Sequence, residues 1–230
     1  MDVRDLQGRL KTAGHYAGLI DGKFGPKSSA AFRAALTFPV SRVTNVQLAA
    51  AAQPHGLTLS LVGTLVDVEA SGQGQDPATG LPVIRYEGHK FQAKTGGVFD
   101  RGYPDLSFAY SERKAHPQPA AQPARWAILE DAVALVPGAA LEATSWGLGQ
   151  IMGFNYAACG FGDVWGFVLA MASGEAEQVA AILAFLKSEG LLVHLQNKRW
   201  DRLAAGYNGE ANVEEYAGRL AKAYARRGGR

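Results

Sequence analysis

Ser145-Trp146-Gly147-Leu148-Gly149-Gln150-Ile151 is the stretch on which the reading of this chain turns. Two glycines flanking a leucine mark backbone that bulkier residues resist, and Gln150 beside them offers both a hydrogen-bond donor and an acceptor. The phrase predicts a tight turn leading into a helix. About sixty residues on, Ala205-Gly206-Tyr207-Asn208-Gly209 reads as a second turn after a helix around Trp200, because Asn tolerates unusual backbone angles. Upstream of both, Glu69 closes an apolar helical run, and Ala70-Ser71-Gly72 is expected to end that helix.

The rest of the chain falls into place around these phrases. Leu57 to Val68 carries Leu61, Leu65 and Val68 on one face with Val62 and Val66 beside it, a helix apolar enough to be buried. Leu81 to Phe91 alternates, with Val83, Arg85 and Glu87 on one side and Ile84 and Tyr86 on the other, which suits a short strand or hairpin. Beyond the proline-rich segment from His116 to Pro123 the pattern is helical to the end. Trp126, Leu129, Val133 and Val136 form one stripe, and Val179, Ile182, Leu183 and Leu186 another. Asn212 with Glu215 three residues on is expected to box the start of the last helix.

Toward the N-terminus, Val3, Leu6 and Leu10 predict a short amphipathic helix stopped by Gly14. A glycine-punctuated turn runs from Tyr16 to Gly25, with Gly22 and Gly25 free to take angles other residues avoid. A second helix follows from about Lys27 to Leu36, and a third opens at Thr44. Leu6, Leu10, Leu19, Phe24 and Phe32 would make a small core. Gln53-Pro54-His55-Gly56 reads as a linker. The fold class is therefore mainly α (α+β), divided into a three-helix module, residues 1–53, and a largely helical domain with a small β element, residues 57–230.

Bulk properties narrow the chemistry. With 47% apolar and 19% charged residues, the 230-residue chain has the composition of a globular protein. The single cysteine, Cys159, forms no internal disulfide and reads as a small buried filler. No apolar run approaches the roughly 20 residues of a membrane span, and Met1-Asp2-Val3-Arg4-Asp5 does not open like a secretory leader. The five histidines are scattered and no His-Glu-x-x-His or cysteine ligand spacing occurs, so no metal and no cofactor is expected. Nucleophile elbows and phosphate loops are absent too. From Tyr216 onward there are five Lys or Arg and no Asp or Glu. This basic end either touches an anionic envelope or complements its own helix dipole.

The two glycine-bearing phrases resemble the "GLMQ" and "AYN-G" signatures of the soluble lytic transglycosylase and goose-type lysozyme group. More broadly, the stretch from about Leu57 to Arg226 is similar to the N-acetylmuramidase domain of modular phage endolysins. That resemblance implies a lysozyme-like fold and cleavage of bacterial cell-wall glycan, with peptidoglycan glycan strands as the partner and no nucleic acid. It implies Glu69 as the catalytic acid, and Ser145, Trp146, Gln150, Tyr207 and Asn208 as substrate-facing residues. It also implies synthesis in a host cytoplasm without a signal peptide, and action on the wall in the periplasm after a holin-type membrane lesion. Nothing in the sequence points to an oligomer, so a monomer is expected. The N-terminal part resembles the three-helix peptidoglycan-binding module through Leu6-Gln7, Tyr16, Asp21-Gly22-x-Phe24-Gly25, Ser28 and Ala31. Tyr16, Asp21 and Phe24 are its candidate wall contacts. It departs from that module at Ala35-Leu36, where Phe-Gln is usual. A helix-turn-helix DNA reader has similar length, but the second helix here lacks its basic character.

Cleaving a glycosidic bond needs an acid still protonated near neutral pH. Val66 and Val68 give Glu69 apolar neighbours, and the negative end of its helix dipole also disfavours ionisation. For the second carboxylate, Asp67 points to the opposite helix face and Asp76 lies in a loop. Glu87, in Arg85-Tyr86-Glu87-Gly88-His89, aligns with the glutamate of a "FERH"-like phrase of the resembled family. It either lines the cleft or makes an ion pair with Arg85 or Arg113. Trp146 either stacks on a sugar face or packs in the core. Two rival functions stay open: a lytic transglycosylase using Glu69 alone, and a non-catalytic wall-binding or virion protein.

Overall fold

A computed structural model describes residues 1–69, 73–209 and 212–229. Among them are twelve α-helices and one small antiparallel sheet. At the N-terminus, α1 (Val3–Thr12) starts on a reciprocal cap between Asp2 and Asp5, and Gly14 ends the segment at φ +81°. Helix α2 (Pro26–Leu36) opens with proline in its first turn. Helix α3 (Asn45–Ala52) begins on the Thr44–Gln47 capping box. Of the expected core Leu6, Leu10 and Phe32 are buried and Phe24 is half-buried, and Leu36 and Leu48 are buried with them. Leu19 is not a core residue. It is 82% exposed on the tip of the turn, which is held by its own carbonyl accepting from the Tyr16 hydroxyl. Of the two turn glycines only Gly22 needs a left-handed angle (φ +78°), because Gly25 sits in extended backbone as the cap of α2.

No break in packing separates these helices from the rest. The expected linker is a single 3-10 turn, Gln53–His55, closed by Gly56 at φ +62°. Phe32 of α2 packs against Trp126 and Trp165, each with ring centroids 6.1 Å away. Arg9 pairs with Asp163 at 2.8 Å, and buried Glu175 holds both Arg42 (2.8 Å) and the Val43 N–H (3.1 Å). Buried apolar residues from Leu6 to Ala223 form one contiguous core.

Helix α4 (Leu59–Glu69) starts where the Thr58 hydroxyl accepts from the Leu61 N–H, and it is buried along almost its whole length. Leu59 at its start and Asp67 near its end turn outward, and Arg227 grips both Asp67 oxygens at 2.7 Å. Strand β1 (Ile84–Tyr86) is the centre of the expected alternating stretch, which then leaves the strand pattern. Glu87 opens α5 (Gly88–Thr95), because coiling there brings Phe91 back against Tyr86 in the core. The long helices α6 (Gln122–Leu135), α8 (Val164–Ser173) and α9 (Glu175–Ser188), with short α7 (Pro137–Glu142), pack around the sheet. Short α10 (Leu192–Gln196) leads to α11 (Trp200–Asn208), and α12 (Val213–Arg226) packs on α11 and α4. Asn212 makes no capping bond: its ψ of 36° departs from the extended conformation of a capping residue, and the expected box does not form.

The Ser145–Ile151 phrase is a β-hairpin rather than a turn entering a helix. Strand β2 (Thr144–Trp146) pairs with β1 and with β3 (Ile151–Met152), in the order β1-β2-β3. Across it, Arg85 faces Ser145 and Ser145 faces Met152. Strand β3 runs into a single 3-10 turn, Gly153–Asn155, and not into an α-helix. Pairing with a strand sixty residues upstream decides the conformation, and no local pattern carries that information.

Gln178, buried on α9, ties the hairpin to the core. Its Oε1 accepts from the Leu148 N–H at 2.7 Å, and its Nε2 donates to the Met171 and Gly74 carbonyls at 2.7 and 3.1 Å. Gly147 (φ +67°) passes so close that an added Cβ would meet the Gln178 amide carbon at 2.6 Å. Substituting Gln178→Leu strands a buried N–H and two carbonyls, so chemical denaturation should show a loss of about 2–4 kcal/mol.

Candidate active site

Glu69, Gly149, Gln150, Ile151, Met152, Asn155, Phe185 and Tyr207 line one open cleft of about 240 Å³. Five elements supply them: the last residue of α4, the hairpin with four of the eight, the 3-10 turn after it, α9 and α11. Of the expected site residues, this cleft brings together Glu69, Gln150 and Tyr207.

Glu69 is half-buried, and burial pushes its carboxyl above the ordinary glutamate range. Two residues of α12 oppose that shift. The Tyr216 hydroxyl donates to Glu69 Oε1 in a short hydrogen bond, and the Arg219 guanidinium lies near enough to act through its charge. Arg219 Nη2 also donates to the Val68 carbonyl at 2.6 Å, closing the end of α4. Tyr216 is 5% exposed and its own ionisation is pushed far up by burial, so it stays a donor at any working pH. With Oε1 occupied, the other Glu69 oxygen is left to carry a proton. Neither Tyr216 nor Arg219 stands out in the sequence. The i, i+4, i+7 stripe Tyr216, Leu220 and Ala223 marks a buried helix face, yet nothing local marks the hydroxyl as facing Glu69.

Tyr207 lies in the last turn of α11 rather than in a turn after it. Its ring stacks on Tyr216 (centroids 6.4 Å, planes 25° apart) and its hydroxyl donates to the Gly149 carbonyl at 3.2 Å. Gly149 admits that contact, since a Cβ there would meet the Tyr207 oxygen at 2.8 Å. The lack of a side chain thus serves packing in the cleft wall as well as openness. Gln150, at φ +45°, has its amide engaged with its own hairpin: Nε2 donates to the Gly147 carbonyl (2.8 Å), and Oε1 accepts from Ser145 Oγ (3.0 Å). Ser145 is buried behind Gln150 and braces it. The Asn208 side chain lies outside the described residues, as does the expected helix stop at residues 70–72.

Trp146 does not face the cleft. It is fully buried, packs edge-on to Trp126 at 6.0 Å, and donates from Nε1 to the Leu141 carbonyl at 3.0 Å. Its strand position turns it to the face of the sheet opposite Ser145 and Met152. Glu87 does not line the cavity around Glu69. It pairs with Arg85 at 2.8 Å and lies 3.6 Å from His89 Nδ1. Burial pushes its carboxyl up, against the charges of Arg85 and Lys90. Asp67, set aside from the sequence, is bound to Arg227.

Of the candidate wall contacts Tyr16 is buried, Phe24 half-buried and Asp21 exposed, and all three make contacts within the module. Gln7, fully buried, has its Nε2 within hydrogen-bond reach of the Tyr16 hydroxyl (3.2 Å), Asp21 Oδ1 (2.9 Å) and Ser28 Oγ (3.2 Å). Its Oε1 accepts from the Gly22 N–H at 2.9 Å. Phe24 packs edge-on against Phe32 at 6.0 Å. The shared motif therefore holds the turn of this module in shape. Cys159 is buried and its thiol is pushed up to about 11. Among the described residues no cluster of His, Cys, Asp and Glu has the makings of a metal site, and no helix is long and apolar enough to cross a membrane.

The N-acetylmuramidase family matches residues 58–227, which hold Glu69, the hairpin and the two tyrosines. The chain belongs to the N-acetylmuramidase family of phage endolysins. The crystal structure of a Burkholderia AP3 phage endolysin is similar to it throughout. The two share 33% sequence identity and a TM-score of 0.71, over 98% of this chain and 95% of that one. No curated protein matches the sequence. The muramidase domain is a glycoside hydrolase domain, and its substrate class is peptidoglycan.

Tyr216 gives this muramidase a testable pH signature. With Glu69 as the candidate acid, which must be protonated to act, activity is expected to fall as pH rises through its pKa. Removing a hydrogen bond that favours the carboxylate raises that pKa. Tyr216→Phe should therefore move the alkaline limb of the kcat profile to higher pH. Loosened positioning of the carboxyl should also lower kcat at the optimum by about tenfold.

Proposed function

We propose that this muramidase hydrolyses the β-1,4 bond between N-acetylmuramic acid and N-acetylglucosamine, with Glu69 as general acid. The observation carrying this reading is the seat of Glu69: a cleft-lining carboxyl kept toward its protonated form by burial, with one oxygen fixed by Tyr216. The glycan lies across the hairpin and Glu69 protonates the departing glycosidic oxygen. The second carboxylate in this reading is Glu87, just past the end of β1 and paired with Arg85.

One observation favours a second reading. Glu69 is the only carboxylate among the described residues that line the cavity. A lytic transglycosylase works with one such group, acting as acid and then as base while the muramoyl 6-hydroxyl attacks in place of water. Borohydride reduction of products from purified sacculi separates the two. Muramicitol ends support the hydrolase, anhydro-muramic ends support the transglycosylase, and glucosaminitol ends would contradict the proposed bond.

Residues 1–53 act in this reading as a wall-affinity module that raises local substrate concentration. Its contact face in this reading is the shallow groove that Tyr16 lines together with His15, Ala17, Gly18, Lys27 and Ala34. The enzyme would be made in a host cytoplasm and reach the wall after a membrane lesion.

A further inference from the structure

One face of the sheet leads away from the cleft. Directly opposed residues of antiparallel strands project from the same face, so Arg85, Ser145 and Met152 form one row across the sheet. Met152 lines the Glu69 cavity. Two strand spacings, about 10 Å, carry that face to Arg85 and, two residues on, to Glu87. Beyond Glu87 stand His89 and then Tyr110, edge-on to the imidazole with centroids 5.0 Å apart. Tyr110 is 59% exposed, uncommon for a large aromatic side chain. The Arg113 guanidinium lies 3.9 Å over its ring, and Arg113 Nη1 donates to the Tyr110 carbonyl at 3.1 Å.

Charge gathers at the same place. Arg85, Lys90 and Arg113 come from β1, α5 and the end of the 3-10 turn Tyr110–Glu112; burial first, and then these three charges, oppose protonation of His89. Glu87 is taken by Arg85, and Glu112 turns back to accept from the Ala109 N–H at 3.0 Å. His89 Nδ1 is enclosed without a hydrogen-bond partner. An exposed aromatic–guanidinium ledge with Lys90 nearby suits a carboxylate-bearing peptide lying against it.

We propose that Tyr110 and Arg113, with Lys90, form a subsite for the anionic peptide stem of peptidoglycan. It rests on the muramidase reading. The stem leaves the glycan through the muramic acid lactyl group and carries free carboxylates, and in this proposal a sugar bound beside Glu69 presents it toward β1.

The test compares kcat/KM on one glycan preparation with its stems intact and after their removal by an amidase. Wild type should prefer the stem-bearing glycan by about tenfold, the worth of one charge-assisted pair. Arg113→Glu should bring the ratio near unity, Tyr110→Ala should lower it, and Arg113→Lys should keep part of it. Both positions are exposed, so matching melting temperatures check the fold. Equal rates on both glycans for wild type, or an unchanged ratio in both Arg113→Glu and Tyr110→Ala, would overturn the subsite. Failure of wild type to cleave either glycan would overturn the muramidase reading, and the subsite with it.

Discussion

Replacing Glu69 with glutamine should lower kcat on purified sacculi by about 10³-fold or more, with KM little changed. The amide keeps the shape and still accepts from Tyr216, but it has no acidic proton to give the glycosidic oxygen. The same variant should be at least as stable as wild type at neutral pH. Burial raises the folded-state pKa of Glu69, so the folded protein holds this proton more tightly than the unfolded chain. Its stabilising contribution is full below the unfolded pKa and is lost as pH rises through the folded one. Above that window the buried carboxylate costs stability, and glutamine removes the cost. Thermal melts across pH 4 to 8 should show wild type losing ground to Glu69→Gln as pH rises. A variant that keeps substantial turnover would mean that another group is the acid.

Trp146→Ala should destabilise the protein by about 3–5 kcal/mol. The indole is fully buried against Trp126, in the cluster that continues through Phe32 to Trp165, and its N–H pairs with the Leu141 carbonyl. Removing it leaves a cavity and an unpaired acceptor between the hairpin and the N-terminal helices. For a chain of this length the loss corresponds to a fall in Tm of about 10 °C. The surviving folded fraction should bind glycan nearly as wild type does. A variant with wild-type Tm and a sharply raised KM would instead assign the indole to a sugar-stacking wall.

The sequence reveals what is encoded locally and misses what is assembled by packing. The Val3, Leu6, Leu10 stripe and the Thr44 cap are local, and both helices form where they indicate. Strands of two and three residues are not local. The hairpin at Ser145–Ile151 exists because β1 lies beside it, and the glycines that suggest a turn into a helix serve the Gln178 and Tyr207 contacts. In the site, Glu69, Gln150 and Tyr207 can be read from their motifs. Tyr216 and Arg219 cannot, because their roles depend on α12 crossing the end of α4. The same crossing explains part of the basic end: Arg219 and Arg227 fasten α12 to α4, while Lys222 and Arg226 stay exposed. Leu19 misleads because an apolar residue in a turn reads as core, and only the assembled turn shows its outward direction.

Everything proposed for the chemistry turns on the proton of Glu69. Its most direct test is a pH titration of the glutamate side-chain carboxyls by ¹³C NMR, in wild type and in Glu69→Gln. One resonance should titrate above the ordinary glutamate range, be absent from the variant, and move to still higher pH in Tyr216→Phe. If the signal lost in Glu69→Gln titrates at or below the ordinary range, Glu69 is ionised when the enzyme works and is not its acid.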